Sequence, residues 1–174
     1  MDPVTDLHLE HFRQLYLSER ARRETIRSSV STPVAALSFS VFAFSSLAVQ
    51  VDMARWQEPA TLSILLLGGL AAAALFASAY QILMAEWLFV YHEPPRLADL
   101  ISDTPANATA EEVAGHARRV LTASYAVAYE QYLQGNALSA RSRTWGLRLI
   151  LLSLLLQVIA FMLLPLHLAG GQTP

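Results

Sequence analysis

The chain has 174 residues, of which 54% are hydrophobic and 15% charged; a soluble domain usually carries about 25% charge. The net charge of −2 gives no reason to expect a nucleic-acid duplex as partner. The absence of cysteine excludes disulfides, thiolate chemistry and Cys-based metal sites. All twelve basic residues are arginine, and the charges fall in blocks separated by long apolar stretches. The expected class is therefore an all-α integral membrane protein.

Residues 1–32 are mostly polar, so no secretory signal peptide is expected there and insertion must come from internal segments. From about Val4 to Ser29 the sequence predicts an amphipathic helix: Leu9, Phe12 and Tyr16 follow helical spacing, while Glu10, Arg13, Glu19, Arg20 and Arg23 fill other faces. Packing onto the chain's own cytoplasmic domain is preferred for it over lying along a membrane surface. The helix should stop near Thr32, because the residue before a proline is pushed out of the α region. Pro33 then suits the first position of the next helix, where its missing donor costs nothing.

Residues 33–51 form the first candidate span, with no charge across 19 residues, and 52–60 a short outer loop. The second span lies within 61–90; its stretch from Thr61 to Met84 is uncharged across 24 residues, and an inner extension carries Glu86. Glu93-Pro94-Pro95 breaks the chain and opens a loop through 91–108. Thr109-Ala110-Glu111-Glu112 has the spacing of a capping box, so a long helix is predicted over 109–148, leading directly into a third span at 149–168. The third span is uncharged for 20 residues if His167 is neutral, and 169–174 form a tail. Each span is long enough for a hydrocarbon core of about 30 Å. Gly135 is where the long helix would bend, if it bends at all.

Orientation follows from arginine placement. Eleven arginines flank the first span on its N-terminal side or lie between the second and third spans, and only Arg55 lies in the loop between the first two. The expectation is a bacterial inner-membrane protein with a cytoplasmic N-terminus and an external C-terminus. Trp56 suits the outer interface, and Trp87, Tyr91 and Trp145 the inner one.

No catalytic set emerges, so the chain is not read as an enzyme. His8 and His11 lie one turn apart, but two histidines lack the third ligand that a metal needs; no metal site and no cofactor are expected. Gly69, Ala73 and Ala77 form a small-xxx-small stripe that would let helices of neighbouring copies approach closely. Ser38 and Ser45 on the first span, Gln81 on the second, and Ser153 and Gln157 on the third are candidate pore-lining residues, with Phe42 or Phe44 as a constriction. Ordinary hydrogen bonding between helices accounts for the same polar residues equally well. Arg118, Arg119, Arg141 and Arg143 are candidates for an anionic ligand, since guanidinium forks pair with phosphate, while Arg141, Arg143 and Arg148 also suit lipid headgroups.

The stretch Tyr16 to Val41, centred on RRETIRSSVSTPVAAL, and the stretch Tyr125 to Leu155, with Tyr125-Ala126, Asn136, Arg143 and then an apolar run, resemble SLATT-type bacterial membrane effectors. These accompany nucleotide-signalling phage-defence systems of the CBASS and Hailong types. The resemblance covers roughly a third of the chain, which departs from the two-span SLATT plan by its third span. It implies a homo-oligomeric effector that depolarises or permeabilises the inner membrane. On that expectation the chain is a pore gated through its cytoplasmic helices. Its partners would be further copies of itself, lipids, and a cytoplasmic signalling protein or nucleotide. The alternative is a non-conducting anchor that tethers a cytoplasmic partner.

Overall fold

The computed structural model describes residues 3–29, 31–87, 93–95 and 109–170, and these are helical almost throughout, with no strand among them. Helix α1 spans Pro3–Ser28, α2 Ser31–Gln50, α3 Pro59–Trp87 and α4 Ala110–Gly170; a 3-10 turn at Met53–Arg55 joins α2 to α3. Three helical stretches are long and apolar enough to cross a membrane. Residues 88–92 and 96–108, including Tyr91, His92, Arg96 and Asn107, lie outside the described residues, as does the tail beyond Gly170. The Trp87 side chain does too.

Two compact units emerge. The first combines α1 with the N-terminal part of α4, through Ser139. Its contacts climb both helices in the same order: Asp6 with Arg118, Tyr16 with Tyr125 and Tyr132, Glu19 with Asn136, and Arg23 with Ser139. The two helices therefore run parallel. Tyr16 is buried with Ala128 and Tyr132 at the centre of this pair. Aromatic rings with centroids 5.5 Å apart pack at favourable tilted and edge-on angles.

The second unit holds α2, α3 and α4 from Ala140 onward. Pro33, Ser40 and Leu47 are buried on α2 at intervals of seven. On α3 the buried positions are Thr61, Ile64, Gly68, Ala71, Ala74, Leu75, Ser78, Ile82 and Ala85. On α4 they are Gly146, Ile150, Ser153, Gln157, Ala160, Leu164 and His167, alternating by four and three. A repeat of 3.5 residues keeps one seam of a helix facing its neighbours over many turns. These seams are dominated by small and polar residues. Small side chains let helix backbones approach, which is how apolar helices gain contact when the surroundings are as apolar as they are.

The helix limits refine the sequence expectation. α2 starts at Ser31, which makes Pro33 its third residue rather than its first. The cost is the same, because the first four helical N–H groups have no internal acceptor. α4 remains helical through Gly135, with no break, and also through Pro165. At its start, Thr109 N–H donates to Glu112 Oε2 at 2.9 Å, and Glu112 N–H donates to Thr109 Oγ1 at 3.3 Å. That is the reciprocal cap its sequence spacing predicts.

Candidate functional site

The polar residues of the second unit separate into an inward seam and an outward stripe. Inward, the Ser153 hydroxyl donates to the Ala71 carbonyl at 3.0 Å, linking α4 to α3. Its single hydrogen is then spent, so it accepts from Gln157 Nε2 at 3.0 Å, and the same nitrogen donates to Ser40 Oγ on α2 at 3.1 Å. This order fixes which end of the amide faces the serines. Gln157 Oε1 is buried with no partner among the described residues. Two turns along the same seam, the Ser78 hydroxyl donates to the Gly146 carbonyl at 2.9 Å. Within one copy of the chain, Ser153 and Gln157 are buried, and their hydrogen bonds join α4 to α3 and α2.

Outward, Ser38, Phe42 and Ser45 share one exposed stripe of α2, spaced by four and three. Both serine hydroxyls donate back to carbonyls four residues earlier, Val34 and Val41. Their oxygen lone pairs remain turned to the surroundings. Phe44 leaves that stripe: it is half-buried in an apolar groove of about 200 Å³ between α2 and α3, lined also by Leu47, Ile64, Gly68 and Gly69. Gln81 is half-buried, close to the backbone of Gly146. Gly69, Ala73 and Ala77 are all exposed, and a Cβ added to Gly69 would meet nothing within 4 Å. The close helix packing inside one chain uses the neighbouring stripe instead, through Gly68, Ala71, Leu75 and Ser78.

The arginines also divide. Arg118 pairs with Asp6 at 3.2 Å in the first unit. Arg143, in the second, donates to the Ser29 carbonyl at 2.7 Å and to its hydroxyl at 2.8 Å, holding the chain where α1 ends. Arg119 and Arg141 are exposed. Arg118 and Arg119 belong to one unit and Arg141 and Arg143 to the other, so no single cluster of four forms within either.

A cluster that sequence reasoning missed surrounds His167. This fully buried histidine accepts from the Asp52 N–H through Nε2 at 3.1 Å, so Nδ1 carries the proton and donates to Thr61 Oγ1 at 2.8 Å. Arg55 Nη1 donates to the His167 carbonyl at 2.6 Å and its Nε to Glu58 Oε1 at 2.6 Å. The hydrogen bond from Arg55 holds the Glu58 carboxyl below the ordinary carboxylate range. Among the described residues, no group of three His, Asp or Glu could hold a metal ion.

No known family matches the chain. Comparison with curated proteins and with solved structures likewise finds no match.

Proposed function

We propose that this chain is a homo-oligomeric bacterial inner-membrane channel, gated through the α1–α4 unit and serving as an effector of the SLATT type in nucleotide-signalled phage defence. The N-terminus faces the cytoplasm and the C-terminus the outside. The observation that carries the reading is the stripe of Ser38, Phe42 and Ser45 on α2, all exposed in a single copy. Two hydroxyls flanking a phenyl ring on a helix of 20 residues are the parts of a wet path with an apolar constriction, which closes by losing its water. Phe42 is the better constriction, because Phe44 is half-buried in the α2–α3 groove. Gly69, Ala73 and Ala77 supply a face on which another copy's helix approaches closely.

The test is ion flux through vesicles holding the purified chain. Phe42→Ser should raise flux several-fold, because a hydroxyl in place of the ring keeps the constriction hydrated. Phe44→Ser should leave flux unchanged or lower it by loosening the bundle. Absence of flux under every voltage, with no growth defect on overproduction, would sink the channel. A second reading then takes over, favoured by the enclosure of Ser153 and Gln157 within one chain: a non-conducting anchor whose α1–α4 unit holds a cytoplasmic partner.

A further inference from the structure

Where the apolar run of α4 begins, three side chains stand on one face at spacings of four and three: Arg141, Trp145 and Arg148. All three are exposed. The Arg148 guanidinium carbon lies 5.5 Å from the centroid of the Trp145 ring. A guanidinium at that distance is drawn to the ring by its quadrupole, and its five N–H donors exceed what one ring face can engage. Arg143, between them in sequence, is committed to Ser29. Below the three, Leu152 and Leu155 continue the face and are exposed in turn. One face thus carries two guanidinia, an indole with its own N–H donor, and then exposed leucines.

We infer that Arg141, Trp145 and Arg148 form a binding site for the headgroup of an anionic phospholipid, whose acyl chains lie along Leu152 and Leu155. The inference rests on the membrane reading above. Each part matches one part of the ligand. The phosphodiester carries one negative charge and accepting oxygens, which guanidinium forks engage in pairs. The indole suits the zone where headgroup meets hydrocarbon. The leucines suit the chains. A soluble nucleotide would satisfy the arginines but would leave the leucines beside it in water.

Lipid quenching of a single tryptophan tests this. In the full chain carrying Trp56→Phe and Trp87→Phe, Trp145 is the only indole. This variant is placed in vesicles containing brominated phosphatidylglycerol or, at equal mole fraction, brominated phosphatidylcholine. The site requires several-fold stronger quenching by the glycerol lipid, with the preference falling to about one in Arg141→Gln/Arg148→Gln and surviving in Arg141→Lys/Arg148→Lys. Equal quenching by both lipids would overturn the site while leaving the membrane reading intact. Quenching by neither would overturn the membrane reading itself. Loss of the preference on adding inorganic phosphate, at constant ionic strength, would reassign the arginines to a soluble anion and overturn the lipid assignment.

Discussion

A histidine with no exposed surface must satisfy two ring nitrogens at once. His167 meets a backbone donor with one and a hydroxyl with the other. Its own carbonyl, one of the last four of α4 and so without a helical donor, is taken by Arg55. The lone arginine of the α2–α3 loop thus closes a helix end. Gly146 is the opposite kind of residue, defined by what it lacks. A Cβ there would lie 3.1 Å from Ile82 Cγ1 and 3.6 Å from the Ser78 carbonyl. Gly146→Ala should be nearly tolerated, since Ile82 can shift by a few tenths of an ångström. Gly146→Val should push α3 from α4, cost on the order of 1–3 kcal/mol in unfolding titrations, and break the Ser78 hydrogen bond.

At the scale of elements, three helices of sufficient length and the cap of α4 were legible from the amino acids, because both depend on local composition and spacing. The seams were not. When every face of a helix is apolar, hydropathy loses its helical period and only side-chain size and hydrogen bonding still mark the inner side. Ser153 and Gln157 therefore read as a polar line of unknown direction, and His167 was only a question of charge. Long-range partners such as Ser29 for Arg143 leave no local trace at all. The cap itself makes an expectation about pH. Hydrogen bonds from the Thr109 backbone first, and then its hydroxyl, lower the Glu112 carboxyl from its ordinary value. Its contribution should be complete above the normal carboxylate range of about 4.3 and disappear as pH falls through the lowered folded value. Hydrogen exchange at the first turn of α4 should accelerate over that acid window, and Glu112→Gln should flatten the dependence.

For the whole molecule, two measurements bear on the proposal independently of flux. A reporter fused at Gln172 should be active as a periplasmic enzyme and silent as a cytoplasmic one; the reverse would leave two or four spans instead of three. Replacing Ala73 by Phe should loosen the oligomer by several-fold in concentration, seen by native mass spectrometry in gentle detergent. Its effect on the isolated bundle should be small, because Ala73 is exposed there. A wild-type monomer under those conditions would end the pore. The inward seam also has a meaning for biogenesis. On the membrane reading proposed above, with the helices inserted one at a time, the third span would enter hydrocarbon carrying a serine, a glutamine and a histidine, none yet paired across helices. Such a segment is a reluctant guest on its own. Ser40, Thr61 and the Ala71 carbonyl, already in place on the two earlier helices, are what receive it, so its arrival is also the first moment at which correct assembly can be told from incorrect.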